Sequence, residues 1–360
     1  MRSIKHTFVA VTAALAAASA LAACGDSGGA SGDNTELVVA MGHEAPYPGE
    51  EAVMFAIPKH LGLFDKYGID VDYQPTAGSG VAIQLVQSGE ADLGQGNPSA
   101  VFAAINKGVD ISVIYNMIPE YGSGLAVLDD SKITSPKDLK GATIGVASMS
   151  SSRLPEAKAM VKEAGLDGDV EYVAVGVGAQ AASALKSGKV DGLYLWDAAY
   201  KSIELTGTDL RIIKDVFGDS SKLLDIVEYA NKDAIEDKGE ALGDLGKAGA
   251  IAQVWAKDHL DEALDMFYAE FPNSKTDEEG RKRDLKILEF TLKQFDPEGT
   301  GQNGYGETPD EKTEATGNFL AQYDLIPQAL PAKDYVDNQF VKSYNDFTES
   351  DVSQLKPQED

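Results

Sequence analysis

Met149-Ser150-Ser151-Ser152-Arg153 places three hydroxyls and a guanidinium where a strand pattern hands over to a helix pattern. Amides at a helix start, serine hydroxyls and a bidentate guanidinium all donate to anions, so Ser150, Ser151, Ser152 and Arg153 are candidate anion contacts. Serine capping with Arg153 on a solvated face would read the same way. Ser79, between Gly78 and Gly80, is a second candidate, because neither neighbour carries a side chain to block approach to its hydroxyl and amides. Asn97 and Ser99 open another helix around Pro98, as caps by default and as ligand contacts by position. Trp196 ends a strand pattern, while Tyr47 and Tyr121 lie in loop patterns where core packing accounts less easily for a large ring. Together they point to a ligand with an apolar or aromatic body.

Other chemistries lack their parts. The four histidines, His6, His43, His60 and His259, have neither HExxH spacing nor triad companions, so no catalytic residue and no metal site is expected. Gly25-Asp26-Ser27-Gly28-Gly29 copies a serine-protease nucleophile motif, but in a polar tether with no scaffold to hold a base. Gly176-Val177-Gly178-Ala179-Gln180-Ala181 matches a loose dinucleotide fingerprint. The equivalent Gly78-Ser79-Gly80-Val81 has Ile83 where a third small residue belongs, so shared loop geometry explains both copies and no cofactor is expected. Asp296 to Glu307 approaches a calcium-loop pattern, with Glu298 and Thr300 in place of the usual Asp or Asn, and reads as a surface turn.

These candidates are positioned by a repeat. Ser88-Gly89-Glu90-Ala91-Asp92 is answered by Ser187-Gly188-Lys189-Val190-Asp191, each after a Gly-containing loop and an apolar helix and before a short strand. The separation far exceeds solenoid periods of roughly 20–50 residues, which points to two similar lobes. Strand patterns at 37–41, 69–73, 91–95 and 109–117 alternate with helices in the first lobe, and at 143–146, 170–175, 190–195 and 210–213 in the second. Such alternation predicts parallel sheets, whose strand carboxyl ends would face one another across a cleft. The pattern breaks near Pro119 to Gly124 and again from Ser220 to Asn231, the expected crossings between lobes. Long helical segments near 247–269 and 277–294 should then return to the first lobe. The expected domains are 36–121 plus 228–360 for lobe one and 122–227 for lobe two.

With 360 residues and 43% hydrophobic composition, the chain can bury two such cores. Its net charge of −27 argues against nucleic acid as a partner. Arg2 and Lys5 precede an apolar run from Phe8 to Leu21, the layout of an export signal too short to span a membrane comfortably. It ends in Leu21-Ala22-Ala23-Cys24-Gly25, which resembles a bacterial lipobox. Residues 1–23 are therefore expected to be a signal peptide, Cys24 the lipidated residue, and 24–35 a flexible tether. Cys24 is the single cysteine, so no intrachain disulfide can form.

Ala56-Ile57-Pro58-Lys59-His60-Leu61-Gly62-Leu63-Phe64, Asp138-Leu139-Lys140-Gly141-Ala142-Thr143-Ile144-Gly145-Val146 and Ala184-Leu185-Lys186-Ser187-Gly188-Lys189-Val190-Asp191 carry a resemblance. With Tyr335-Val336-Asp337-Asn338-Gln339-Phe340 they make the chain similar to ABC-importer solute-binding lipoproteins of the NMT1, SsuA/ThiY-like group. The resemblance implies a two-lobed α/β fold of the periplasmic-binding-protein type II, with two hinge crossings and a ligand cleft between lobes. It also implies a non-enzymatic, monomeric, lipid-anchored protein outside the cytoplasmic membrane that closes on a solute and presents it to a membrane permease. Family contacts would fall in the loops holding Tyr47, Ser79, Asn97, Ser99, Ser150 to Arg153 and Trp196. The ligand stays open between a small organic anion, a sulfonate or an aromatic carboxylate, and a neutral pyrimidine or flavin precursor; a surface enzyme on the same fold is the functional rival.

Overall fold

A computed structural model describes residues 34–217, 222–298 and 300–358. Cys24 and the proposed signal and tether up to Asp33 lie outside them. Among the described residues ten strands form two five-stranded sheets. The first is built from β1 (Thr35–Ala40), β2 (Ile69–Gln74), β3 (Leu93–Gly96), β4 (Ile111–Ile118) and β10 (Ile226–Asn231). The second takes β5 (Ser123–Leu128), β6 (Thr143–Val146), β7 (Glu171–Ala174), β8 (Gly192–Trp196) and β9 (Leu210–Ile213). Their orders, β2-β1-β3-β10-β4 and β7-β6-β8-β5-β9, follow one pattern. The two-lobed α/β architecture read from the repeat is what forms.

In each sheet the fourth strand is antiparallel to its neighbours and arrives from the other lobe. β10 pairs β3 and β4, and β5 pairs β8 and β9. The crossings expected near Pro119 to Gly124 and Ser220 to Asn231 overlap the first two residues of β5 and the whole of β10, which the structure makes interior strands. Their amino ends, Ser123 and Ile226, therefore mark where the chain passes between the sheets.

The parallel strands are apolar because helices cover both faces of each sheet. β4 is buried at all eight positions. One face of the first sheet packs on the helices Gly239–Ala256, Leu260–Glu270 and Glu278–Gln294, and the other on Ser79–Ser88 and Pro98–Asn106. The second sheet is covered by Gly178–Lys186 and Asp197–Glu204 on one side and by Arg153–Glu163 on the other. The expected long segment at 247–269 is two helices, broken at Lys257-Asp258-His259. Between β1 and β2 the chain forms a buried π turn, Ala52–Ala56, before the short helix Ile57–His60. Among the described residues no helix is long and apolar enough to cross a membrane.

Candidate functional site

A cavity of about 560 Å³ opens between the sheets, at the carboxyl ends of β1, β2, β3, β6, β7 and β8. The first lobe contributes the Gly42–Tyr47 loop, Glu50, Ala77 to Ser79 and Gln95 to Asn97. The second contributes Ala147, Ser148, Ser151 to Arg153, Gly176, Val177, Ala179, Gln180, Trp196, Ala198, Ala199 and Ser202. Ile226 at the start of β10 and Ile287 from the Glu278–Gln294 helix complete the wall. Carboxyl ends of parallel strands collect ligands because the loops there are free of the packing that covers the sheet faces.

Four helices begin on this cavity: Ser79–Ser88, Arg153–Glu163, Gly178–Lys186 and Asp197–Glu204. None receives a bond from the side chain of its N-cap residue, although Arg153 N donates to Ser151 Oγ at 3.3 Å. Their first amides carry the positive end of the peptide dipoles, which favours negative charge. The Pro98–Asn106 helix differs, since Asn97 Oδ1 accepts from Ser99 N at 2.8 Å. Ser79 sits against two glycines: a Cβ at Gly96 would come within 3.0 Å of Ser79 Oγ, so the bare backbone there makes its room.

Tyr47, Ser79, Asn97, Ser151, Ser152, Arg153 and Trp196 all line the cavity. Tyr47 and Trp196 enter the cavity from opposite lobes. Ser99, Tyr121 and Ser150 are not part of the lining. Ser99 Oγ donates across the lobes to Ser152 O at 3.4 Å. Ser150 Oγ donates to Ala77 O at 2.5 Å, joined by Ser148 Oγ at 3.1 Å. These three serines serve contact between lobes. Tyr121 is drawn into the hinge, its hydroxyl donating to Glu156 Oε2 at 2.6 Å and lying 3.1 Å from that of Tyr194.

Arg153 reaches the cavity with its charge already matched. Its Nη1 donates to Glu156 Oε2 at 3.2 Å and its Nη2 to Asp225 Oδ1. The guanidinium also stands 5.1 Å from the Tyr121 ring centroid. Asp225 further accepts from Gly122 N at 3.1 Å. All three charged residues are about as buried as a core leucine. Burial disfavours the guanidinium charge, but the two carboxylates outweigh it and hold the Arg153 pKa well above its usual value. Arg153 and Glu156 are a local i, i+3 pair on one helix, but Asp225, 72 residues on, joins them only through the fold, so the cluster was not legible in sequence.

A second charged group was also missed. His43 Nε2 lies 2.9 Å from Glu51 Oε1, and its Nδ1 is 3.1 Å from Ala45 O. Burial lowers the His43 pKa, but Glu51 beside it, with Glu50 and the Ala45 carbonyl, raises it to about 9. Burial and the Glu51 charge push Glu50 up to about 7, and the Tyr47 hydroxyl donates to its carboxylate. The calcium-like loop goes elsewhere: Asp296 pairs with Lys257 at 2.6 Å, and Glu307 accepts from Asn303. Gly176, Val177, Ala179 and Gln180, read only as part of a discarded fingerprint, line the cavity; the correspondence of that segment to Gly78 to Val81 was the available signal.

A family model described as NMT1/THI5 like matches residues 52–263. A Bacillus subtilis (strain 168) protein named for binding aliphatic sulfonates is 27% identical over 330 residues, 89% of this chain and 92% of that one. A solved structure from Bordetella bronchiseptica RB50 superposes with TM-score 0.68 at 21% identity, over 87% of this chain and 98% of that chain. The alkanesulfonate-binding protein SsuA from Xanthomonas axonopodis pv. citri, bound to MOPS, gives 0.62 at 15% identity, over 86% and 100%. At these identities the structural likeness speaks for the fold.

Proposed function

The chain belongs to the NMT1/THI5-like family, and from that premise we propose that it is the solute-binding protein of an ABC importer, taking a small organic anion that bears an apolar body. One observation carries the anion: four helix starts with no bond from their N-cap side chains, from two lobes, border a single cavity. Dipoles and amides supply positive potential without a free cation, and hydrogen bonds to a charged acceptor are each worth about 1.5–3 kcal/mol. Trp196, Tyr47, Val177, Ile226 and Ile287 would hold the apolar part. Of the two anion classes weighed, a sulfonate comes first, in keeping with the name of the B. subtilis relative and with MOPS, a ring-bearing sulfonate, in the X. axonopodis structure.

Binding energy works through closure. A solute touching both lobes has more contacts when they are together, so it shifts the hinge equilibrium toward the closed form that a permease would recognise. Lipidation at Cys24 would keep the protein at the outer face of the membrane. A neutral pyrimidine or flavin precursor is the second reading, favoured by the pairing of Arg153 with Asp225 and Glu156.

Calorimetric titration with alkyl- and arylsulfonates, aromatic carboxylates, pyrimidines and flavin precursors separates these readings. Saturable binding of sulfonates without product formation is expected; binding confined to the neutral heterocycles overturns the anion assignment, and turnover of any ligand overturns the transport role. Mass spectrometry of the membrane-associated protein should find a diacylglyceryl-modified Cys24 as the first residue.

A further inference from the structure

We propose that His43, Glu50 and Glu51 form a binding site for a divalent transition-metal cation of the zinc type, set in the wall of the solute cavity. One imidazole nitrogen and one oxygen from each carboxylate lie within 4.8 Å of one another. Bonds of about 2.0–2.2 Å to a shared ion place ligand atoms about 3–3.5 Å apart. The His43 Nε2 to Glu51 Oε1 separation of 2.9 Å is near this range, and a small rotation of Glu50 would bring in the third donor.

The local fold is built to make this convergence. Gly49 N donates to Tyr47 O at 2.7 Å in a tight turn, and a Cβ at Gly49 would strike the Tyr47 ring at 2.3 Å. That turn brings the loop carrying His43 back over the helix start carrying Glu50 and Glu51. Consecutive helical side chains diverge, so two neighbouring glutamates and a histidine meeting at one point is not a by-product of helix geometry.

Two further observations point to a cation. His43 Nε2 and Glu51 Oε1, both buried atoms, meet each other as an ion pair at 2.9 Å and have no other polar partner, so a cation would take the place of the proton between them. Glu51 is fully buried. His43 Nδ1 meanwhile faces Ala45 O at 3.1 Å, and the Tyr47 hydroxyl bonds Glu50. A backbone carbonyl on the far ring nitrogen and a hydroxyl on a ligating carboxylate are the outer contacts that orient metal ligands. His43 and Glu50 border the cavity, which leaves an open coordination position for water or a group of the solute. Imidazole with carboxylates suits zinc and its neighbours better than calcium or magnesium. The site stands whether the cavity takes an anion or a neutral solute.

The test uses the full chain, stripped with EDTA and titrated with ZnCl2 by calorimetry at neutral pH. One zinc per chain is expected, weakened about 100-fold by His43→Ala and at least about 10-fold by Glu50→Gln, a volume-conserving change. His60→Ala and His259→Ala remove the other described histidines, which pair with Glu270 and Glu262 at 3.7 and 2.7 Å, and should leave affinity unchanged. Cobalt(II) gives a readout within the wild type: visible absorption bands that zinc displaces. No saturable zinc binding by the wild type, or the same affinity in Glu50→Gln, overturns the proposal.

Discussion

Arg153 and Asp225, brought from the start of a second-lobe helix and from the residue just before β10, form a buried ion pair beside the cavity. Removing either charge strands the other in a dry site, while Glu156 holds a further carboxylate on the same guanidinium. Breaking a buried pair costs about 3–5 kcal/mol. Asp225→Ala is therefore expected to lower unfolding stability by that amount in urea. Arg153→Ala should do likewise, and a loss below about 1 kcal/mol for both would remove the hinge role argued for the pair.

At Gly78 the lobes approach closely. Its φ of +145° is one that side-chain-bearing residues rarely adopt, and a Cβ there would come within 2.9 Å of Ser150 O. Gly78→Ala should prop the lobes apart, at about 1–3 kcal/mol of strain. Small-angle scattering should give a larger radius of gyration, and solute affinity should fall about tenfold or more. An unchanged radius would contradict the contact.

Trp196 is one of two tryptophans, and Trp255 is buried in the first lobe's core, stacked on His259. Solute binding should therefore change the emission of Trp196 alone. In Trp196→Phe the titration signal should vanish while calorimetry still detects binding, weakened by about 0.5–1.5 kcal/mol. A persisting emission change would place the solute elsewhere.

Glu228 lies in the interior of β10 with one hydrogen bond, from Gln95 Nε2 at 3.1 Å. Burial pushes its pKa up to about 7. A carboxyl that holds its proton more tightly when folded stabilises the fold below its unfolded pKa, and this is lost as pH rises toward and through 7. Melting temperature should fall between about pH 5 and 8, and Glu228→Gln, which can still accept from Gln95, should flatten that slope and be the more stable protein at pH 8. A steeper slope in the variant would reverse the assignment.

Much of this was legible because it rests on local pattern. The Ser-Gly repeat, the apolar strand runs and the Gly-Ser loops require only periodicity and turn chemistry, and they led to two sheets, to the cleft between them and to seven residues that line it. Misreadings fell where one element takes its meaning from another. The start of β5 and the whole of β10 looked like linkers because a strand inserted from the other lobe follows no βαβ alternation. Tyr121 looked like a free loop aromatic because its partners, Glu156 and Tyr194, are far along the chain.

The order of residues by itself determined the architecture, through hydrophobic period and turn-forming residues that act over a few positions. What the tertiary structure alone decided is the charge of the site. Arg153 reads as a ready anion contact until Asp225 and Glu156 are folded against it, and His43 reads as incidental until Glu50 and Glu51 close around it. Electrostatic energies depend on separation and on the exclusion of water, and both are set only when distant segments pack.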